Sequence, residues 1–203
     1  TAAVKHPDLS GVYNFGGGGA PARGGAAPAG PELKPGKESY RVNRGPQDSG
    51  GTSDCMPLAG PAAYGVPYQF QIIQNDNYVV IFHEYPGTFR IVPINGVHPV
   101  DPDPTWLGDS VGKWDGDTLV VDAIGFNTRT ELNGFKHSEN LHIIERFRRP
   151  TPEALEWEAT LEDPEVFVRP WTVKRTFALR PDLKKIDEFV CENNRDYSVF
   201  FGK

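Results

Sequence analysis

The chain has 203 residues, of which 38% are apolar and 24% charged, and its formal net charge is −6. That composition fits a soluble globular protein large enough for one sizeable core. The acidic balance argues against nucleic acid and anionic membranes as partners, which select basic surfaces, and no apolar run reaches the 18 residues of a membrane-crossing helix.

The sequence opens at Thr1-Ala2-Ala3 without Met or a targeting segment. This is the form expected of a mature protein whose signal peptide has been removed. A first strand is predicted over Asp8–Phe15. Residues 16–37 are rich in Gly, Pro and Ala and cannot bury enough apolar surface to offset their ordering entropy. They read as a linker or surface-hugging arm, and the four glycines 16–19 lack the strand–helix context of a phosphate loop. Residues 1–54 are therefore set apart as an N-terminal arm carrying one strand, a possible dock for a protein partner, and 55–203 as the main domain.

From Tyr68 onward nine strands follow with short, turn-rich connections: Tyr68–Gln74, Tyr78–Tyr85, Thr88–Ile94, Asp109–Trp114, Asp117–Ile124, Asn140–Arg149, Ala154–Leu161, Phe167–Leu179 and Lys185–Cys191. Asp115-Gly116 is placed as a hairpin turn, because Asp-Gly tolerates the positive φ that such turns demand. Helical turns are expected at most in Thr128–Phe135 or Pro150–Ala154. Short connections make sequential strands antiparallel neighbours, and so many strands must close or fold onto a second layer. The fold class is all-β, an up-and-down barrel of about 8–10 strands, with a β-sandwich as the alternative. Pro170 marks an edge or bulge in the strand that holds it.

Alternation assigns faces. Val79, Ile81, His83 and Tyr85 share one side of their strand; Leu141, Ile143, Glu145 and Phe147 share one side of theirs. Apolar residues on both faces of Tyr78–Tyr85 call for an outer cover such as the arm. Glu145 and Arg175 are charges inside apolar rows and must be paired, with each other or with Arg90. Alternatively they anchor a ligand in an apolar cavity walled by Trp114 and Trp157.

His83, His137 and His142 are the candidate acid–base groups beside Glu145, since a buried Glu can exchange protons near neutrality. His137 and His142 are five apart and match no zinc spacing, so neither a metal nor another cofactor is assigned. Asp101-Pro102-Asp103-Pro104 reads as a stiff solvated connection rather than a calcium loop. Cys55 and Cys191 lack metal-type spacing; they read as one disulfide or as two buried thiols.

Gly11-Val12-Tyr13 resembles the Gly-x-Trp signature on the first strand of lipocalins, with Tyr in the Trp place. Several further segments resemble a family of secreted bacterial proteins of unassigned activity. They are Cys55-Met56-Pro57-Leu58, residues 67–74, Phe89-Arg90-Ile91, the long run Trp106–Asp122, Gly125-Phe126-Asn127, His137-Ser138-Glu139, Glu145-Arg146-Phe147 and Asp163–Thr172. The likeness spans roughly residues 55–194. It implies export, secreted or periplasmic, and it implies no catalytic residues.

Three functions remain in order. The first is an exported barrel binding a small, partly apolar or aromatic molecule through Arg90, Glu145 and Arg175. The second is a lyase, isomerase or hydrolase in the same cavity. The third is a structural or partner-binding surface protein, whose sign would be a large apolar patch in place of a pocket.

Overall fold

A computed structural model describes residues 6–15, 30–43 and 55–190. Its nine strands are β1 (Gly11–Phe15), β2 (Phe70–Gln74), β3 (Tyr78–His83), β4 (Thr88–Pro93), β5 (Asp109–Asp115), β6 (Thr118–Ile124), β7 (His142–Thr151), β8 (Ala154–Glu162) and β9 (Trp171–Leu179). They form one sheet in the order β4-β3-β2-β1-β9-β8-β7-β6-β5, antiparallel at every ladder. The sheet curls into a nearly closed up-and-down barrel, as the short connections require.

Nine antiparallel strands leave the two edge strands, β4 and β5, running parallel. Their seam carries a single bridge between Ile94 and Gly112. A Cβ on Gly112 would lie 2.9 Å from Val92 Cγ1 and 3.0 Å from Ile94 Cδ1, so glycine lets the two edges pack without a ladder. Residues 95–108 then cross from β4 back to β5 along the outer wall. Thr105 bridges Phe126 at the far end of that crossing.

The alternation predicted from sequence sets the interior. Ile72, Val79, Ile81, Leu119, Val121, Ile143, Phe147, Leu155, Trp157, Leu161, Val173 and Phe177 are all buried and form one cluster. Residues 55–66 enter the barrel from the rim where β2 begins. Ala59, Ala63 and Tyr64 join the core cluster. The Tyr64 ring lies 4.6 Å from Trp157, 5.1 Å from Phe70 and 5.7 Å from Phe177, centroid to centroid. This segment is a stopper made mostly of small residues around one large aromatic. The same rim is capped by residues 125–141 and 163–170. There the buried Asp163 accepts from Ser138 N (2.7 Å), Ser138 Oγ (2.8 Å), Glu165 N (3.1 Å) and Val166 N (3.2 Å).

Four local expectations are corrected. The β5–β6 turn is Gly116-Asp117, because Asp115 pairs with Thr118; Gly116, at φ 58°, takes the first loop position, where a two-residue turn wants glycine. The strand predicted over Phe167–Leu179 starts only at Trp171, after Pro170, which has no N–H to give a ladder. Residues 185–190 form no strand; Gln71 holds this stretch from the outer face of β2, donating to Lys184 O and accepting from Ile186 N. Residues 128–135 and 150–154 form no helical turn. The second of these is the end of β7 and its hairpin into β8.

Candidate functional site

Inside the barrel, β4, β7 and β8 and the stopper bring polar groups together in an apolar surround. Glu145 faces inward between Ile143 and Phe147 and is fully buried. Its Oε2 forms an ion pair with Arg90 Nη1, and its Oε1 accepts from Trp157 Nε1 at 3.0 Å. The Arg90 side chain is only 9% exposed. Its Nε and Nη2 have no hydrogen-bond partner, and neither does the Tyr64 hydroxyl. The Tyr64 hydroxyl and the Arg90 guanidinium lie within hydrogen-bonding reach of each other and each shifts the other's titration, but the contact is poorly aligned. Side-chain atoms this deeply buried without an aligned partner call for an explanation, since the large majority of such groups are satisfied.

These groups border a small cavity of about 10 Å³, the reach of one water molecule. Tyr64, His83 and Arg90 supply its polar wall; Leu58, Ala59, Ala63 and Leu107 supply the rest with Gly60. The stopper thus occupies the volume that an open barrel would offer.

Burial fixes the protonation states. Burial, and then the Arg90 charge, push His83 down to about 3, so its imidazole is neutral at physiological pH. Burial, and then the Glu145 charge, push the Tyr64 phenol up, so it keeps its proton. Burial works to lower Arg90, but Glu145 and Tyr64, by charge and hydrogen bond together, outweigh it and hold the guanidinium charged.

Of the residues singled out from sequence, Arg90, Glu145, Trp157 and His83 share this interior. His137 lies in the cap instead. Its Nδ1 faces Ser138 O at 2.8 Å and its Nε2 faces Thr130 Oγ1 at 2.7 Å. The Ser138 carbonyl needs a donor, so Nδ1 carries a proton, and burial, which lowers the pKa, favours the neutral ring with Nε2 accepting from Thr130. His142 points outward. Its Nε2 is 3.1 Å from Asp122 Oδ2 and its Nδ1 is 3.6 Å from Glu162. The structure therefore does not bring His137 or His142 to Glu145. Arg175 pairs in register with Trp157 and faces inward with Val173 and Phe177, and its Nη2 lies 3.5 Å from where a Cβ on Gly65 of the stopper would sit, so it too borders the interior, away from the Arg90–Glu145 pair. Burial lowers its pKa. Trp114 sits at the opposite rim from the stopper, stacked on His6 at 4.6 Å with the rings 4° apart. It separates two open grooves of about 630 and 800 Å³. Cys55 is described, at φ 56°; Cys191 lies outside the described residues.

Two features were missed in the sequence. Tyr64 is a lone aromatic in a Pro/Ala/Gly stretch without periodicity, and that isolation was the available signal. His98 fastens the crossing 95–108 to the outer wall: Nδ1 is 2.5 Å from Asp109 Oδ1 and Nε2 is 3.0 Å from Asp122 Oδ1. Among the described residues no three His, Cys, Asp or Glu side chains are arranged to hold a metal ion.

Comparison of the chain with protein-family models, with curated proteins and with solved structures finds no match.

Proposed function

We propose that this is an exported barrel that binds a small, partly apolar or aromatic molecule in its interior, with Arg90 and Glu145 as the polar anchor. One observation carries the reading. Arg90 presents two buried N–H-bearing nitrogens without a well-aligned acceptor beside the Tyr64 hydroxyl, and both residues line the space that the stopper closes. A purely structural core gains nothing from such a group, since apolar residues of equal volume are usually as stable. The up-and-down barrel, and the lipocalin-like Gly11-Val12-Tyr13 on β1, support the same reading.

Binding requires residues 55–66 to move, because the closed interior has room for no more than one water. Ala62, Ala63 and Gly65 donate their amides back within this segment, to Ala59, Gly60 and Ala62. The segment can therefore leave as a unit without breaking those bonds. Native mass spectrometry of protein purified from a secretion host is the test. A co-purifying small molecule, released when Arg90 and Glu145 are exchanged together, is the expected result. A bare mass under conditions that preserve other complexes counts against it.

A second reading rests on a separate observation. On the outer face of β2–β4, Ile73, Tyr78, Phe89 and Ile91 are each about half exposed, with Val80 and Phe82 between them. Such a patch favours a partner-binding surface. Its four exposed side chains offer roughly 300–400 Å², about half of the ~800 Å² per partner in a standard interface, so a partner would also contact residues around the patch. Replacing Phe89 and Ile91 by Ser should leave stability within about 0.5 kcal/mol. A larger loss would show that these side chains serve packing.

A further inference from the structure

The charge balance of the interior group specifies what kind of molecule it can take, an inference that rests on the ligand-binding reading above. We infer that the site selects a neutral molecule with a carbonyl-type acceptor at one end and an apolar or aromatic body, and that it rejects the corresponding carboxylate.

Arg90 and Glu145 are in direct contact and cancel. His83 is neutral and Tyr64 keeps its proton. The four titratable groups around the cavity therefore sum to zero. What is unmet is donation: Nε and Nη2 of Arg90 lie along one edge of the guanidinium, neither has a well-aligned acceptor, and the neighbouring Tyr64 hydroxyl leaves with the stopper. A carbonyl oxygen has two lone pairs and can accept from both while adding no charge. A carboxylate would satisfy the same edge but would leave the buried group at net −1, which a dry interior penalises heavily. An ammonium would set donors against donors. When residues 55–66 move out, the walls they uncover are Phe70, Phe147, Trp157 and Phe177, all in ring contact with Tyr64 in the closed form, which suit an apolar or aromatic body.

Trp157 gives a local reporter, because its indole N–H donates to Glu145. The test titrates the whole protein with benzamide, benzoate and benzylammonium and follows the indole N–H resonances by NMR. A variant with Leu58→Ala, which widens the way past the stopper, is titrated alongside. The expected result is that benzamide shifts the Trp157 resonance and binds at least tenfold more tightly than benzoate. Exchange of Arg90→Gln with Glu145→Gln, in a variant shown to be folded, should remove that preference.

Benzoate binding as well as or better than benzamide at Trp157 would overturn the ligand class while leaving the binding reading intact. A response confined to Trp114 would overturn the inference by placing binding in the outer grooves. Silence at Trp157 for all three probes, in both the native chain and the Leu58→Ala variant, would overturn the binding reading itself.

Discussion

Arg90 of β4 and Glu145 of β7 meet inside the barrel although their strands are three apart around its wall. Neither charge has a closer counter-charge described, so each depends on the other. Arg90→Met alone leaves a carboxylate buried without its cation and should destabilise the protein by about 3–5 kcal/mol. Glu145→Gln added to it removes the stranded charge and keeps an acceptor for Trp157 Nε1. The double exchange is expected to recover at least half of the loss. Urea unfolding of the four proteins in the cycle measures this; a double variant as unstable as the sum of the singles would mean that the two residues are not coupled.

The neutral His83 makes stability depend on pH. Its pKa is about 3 in the fold, against about 6.5 in an unfolded chain. Between those values the unfolded chain binds a proton that the folded chain refuses, so stability is full above about pH 6.5 and falls as the solution is acidified. The slope is about 1.4 kcal/mol per pH unit, or about 2 kcal/mol by pH 5. His137, lowered by burial as well, acts in the same direction. His83→Gln should flatten the unfolding free energy between pH 7 and 5 relative to the native chain. Equal slopes for the two proteins would show that His83 is accessible to protons in the fold.

The barrel was legible because its signals are local. Two-residue turns and period-two alternation along β3, β6, β7 and β8 place Val79, Ile81, Glu145 and Trp157 inward without any long-range information. The pairing of Glu145 with Arg90 was one of the options that burial of a charge forces. The stopper was not legible. Ala59, Gly60, Pro61 and Ala63 have the composition of a loop, and only the tertiary space inside the barrel turns them into core. The long motif from Trp106 to Asp122 has a mainly architectural explanation: Gly112 permits the parallel seam, Gly116 the turn, and Asp109 and Asp122 hold His98.

Asp163 gives a structural meaning to the segment His137-Ser138-Glu139. With four hydrogen bonds it joins that segment to the loop before β9. Asp163→Ala would orphan the buried Ser138 N–H and hydroxyl donors together, whereas Val166 N keeps the Asp163 carbonyl, and should cost about 3–5 kcal/mol. Amide exchange should show the loss first at residues 137–141 and 165–167, with the β7–β8 ladder still protected. Uniform loss of protection across the barrel would instead make Asp163 part of the global folding unit.

The proposal of export carries a chemical consequence at Cys55. This residue opens the stopper, and Cys191 is its only possible partner within the chain. We expect the two to be joined. The bond would close a loop of more than a hundred residues and stabilise the fold by roughly 4–5 kcal/mol on the chain-entropy model. It would also tether one end of the stopper, so that residues 56–66 swing about Cys55 when the interior opens. An alkylating agent applied under denaturing, non-reducing conditions should add no mass, and should add two labels after reduction. Reduced protein should unfold at lower urea, and its residues 56–66 should exchange amide hydrogens faster. Two labels without reduction would remove both the tether and the chemical support for an oxidising compartment.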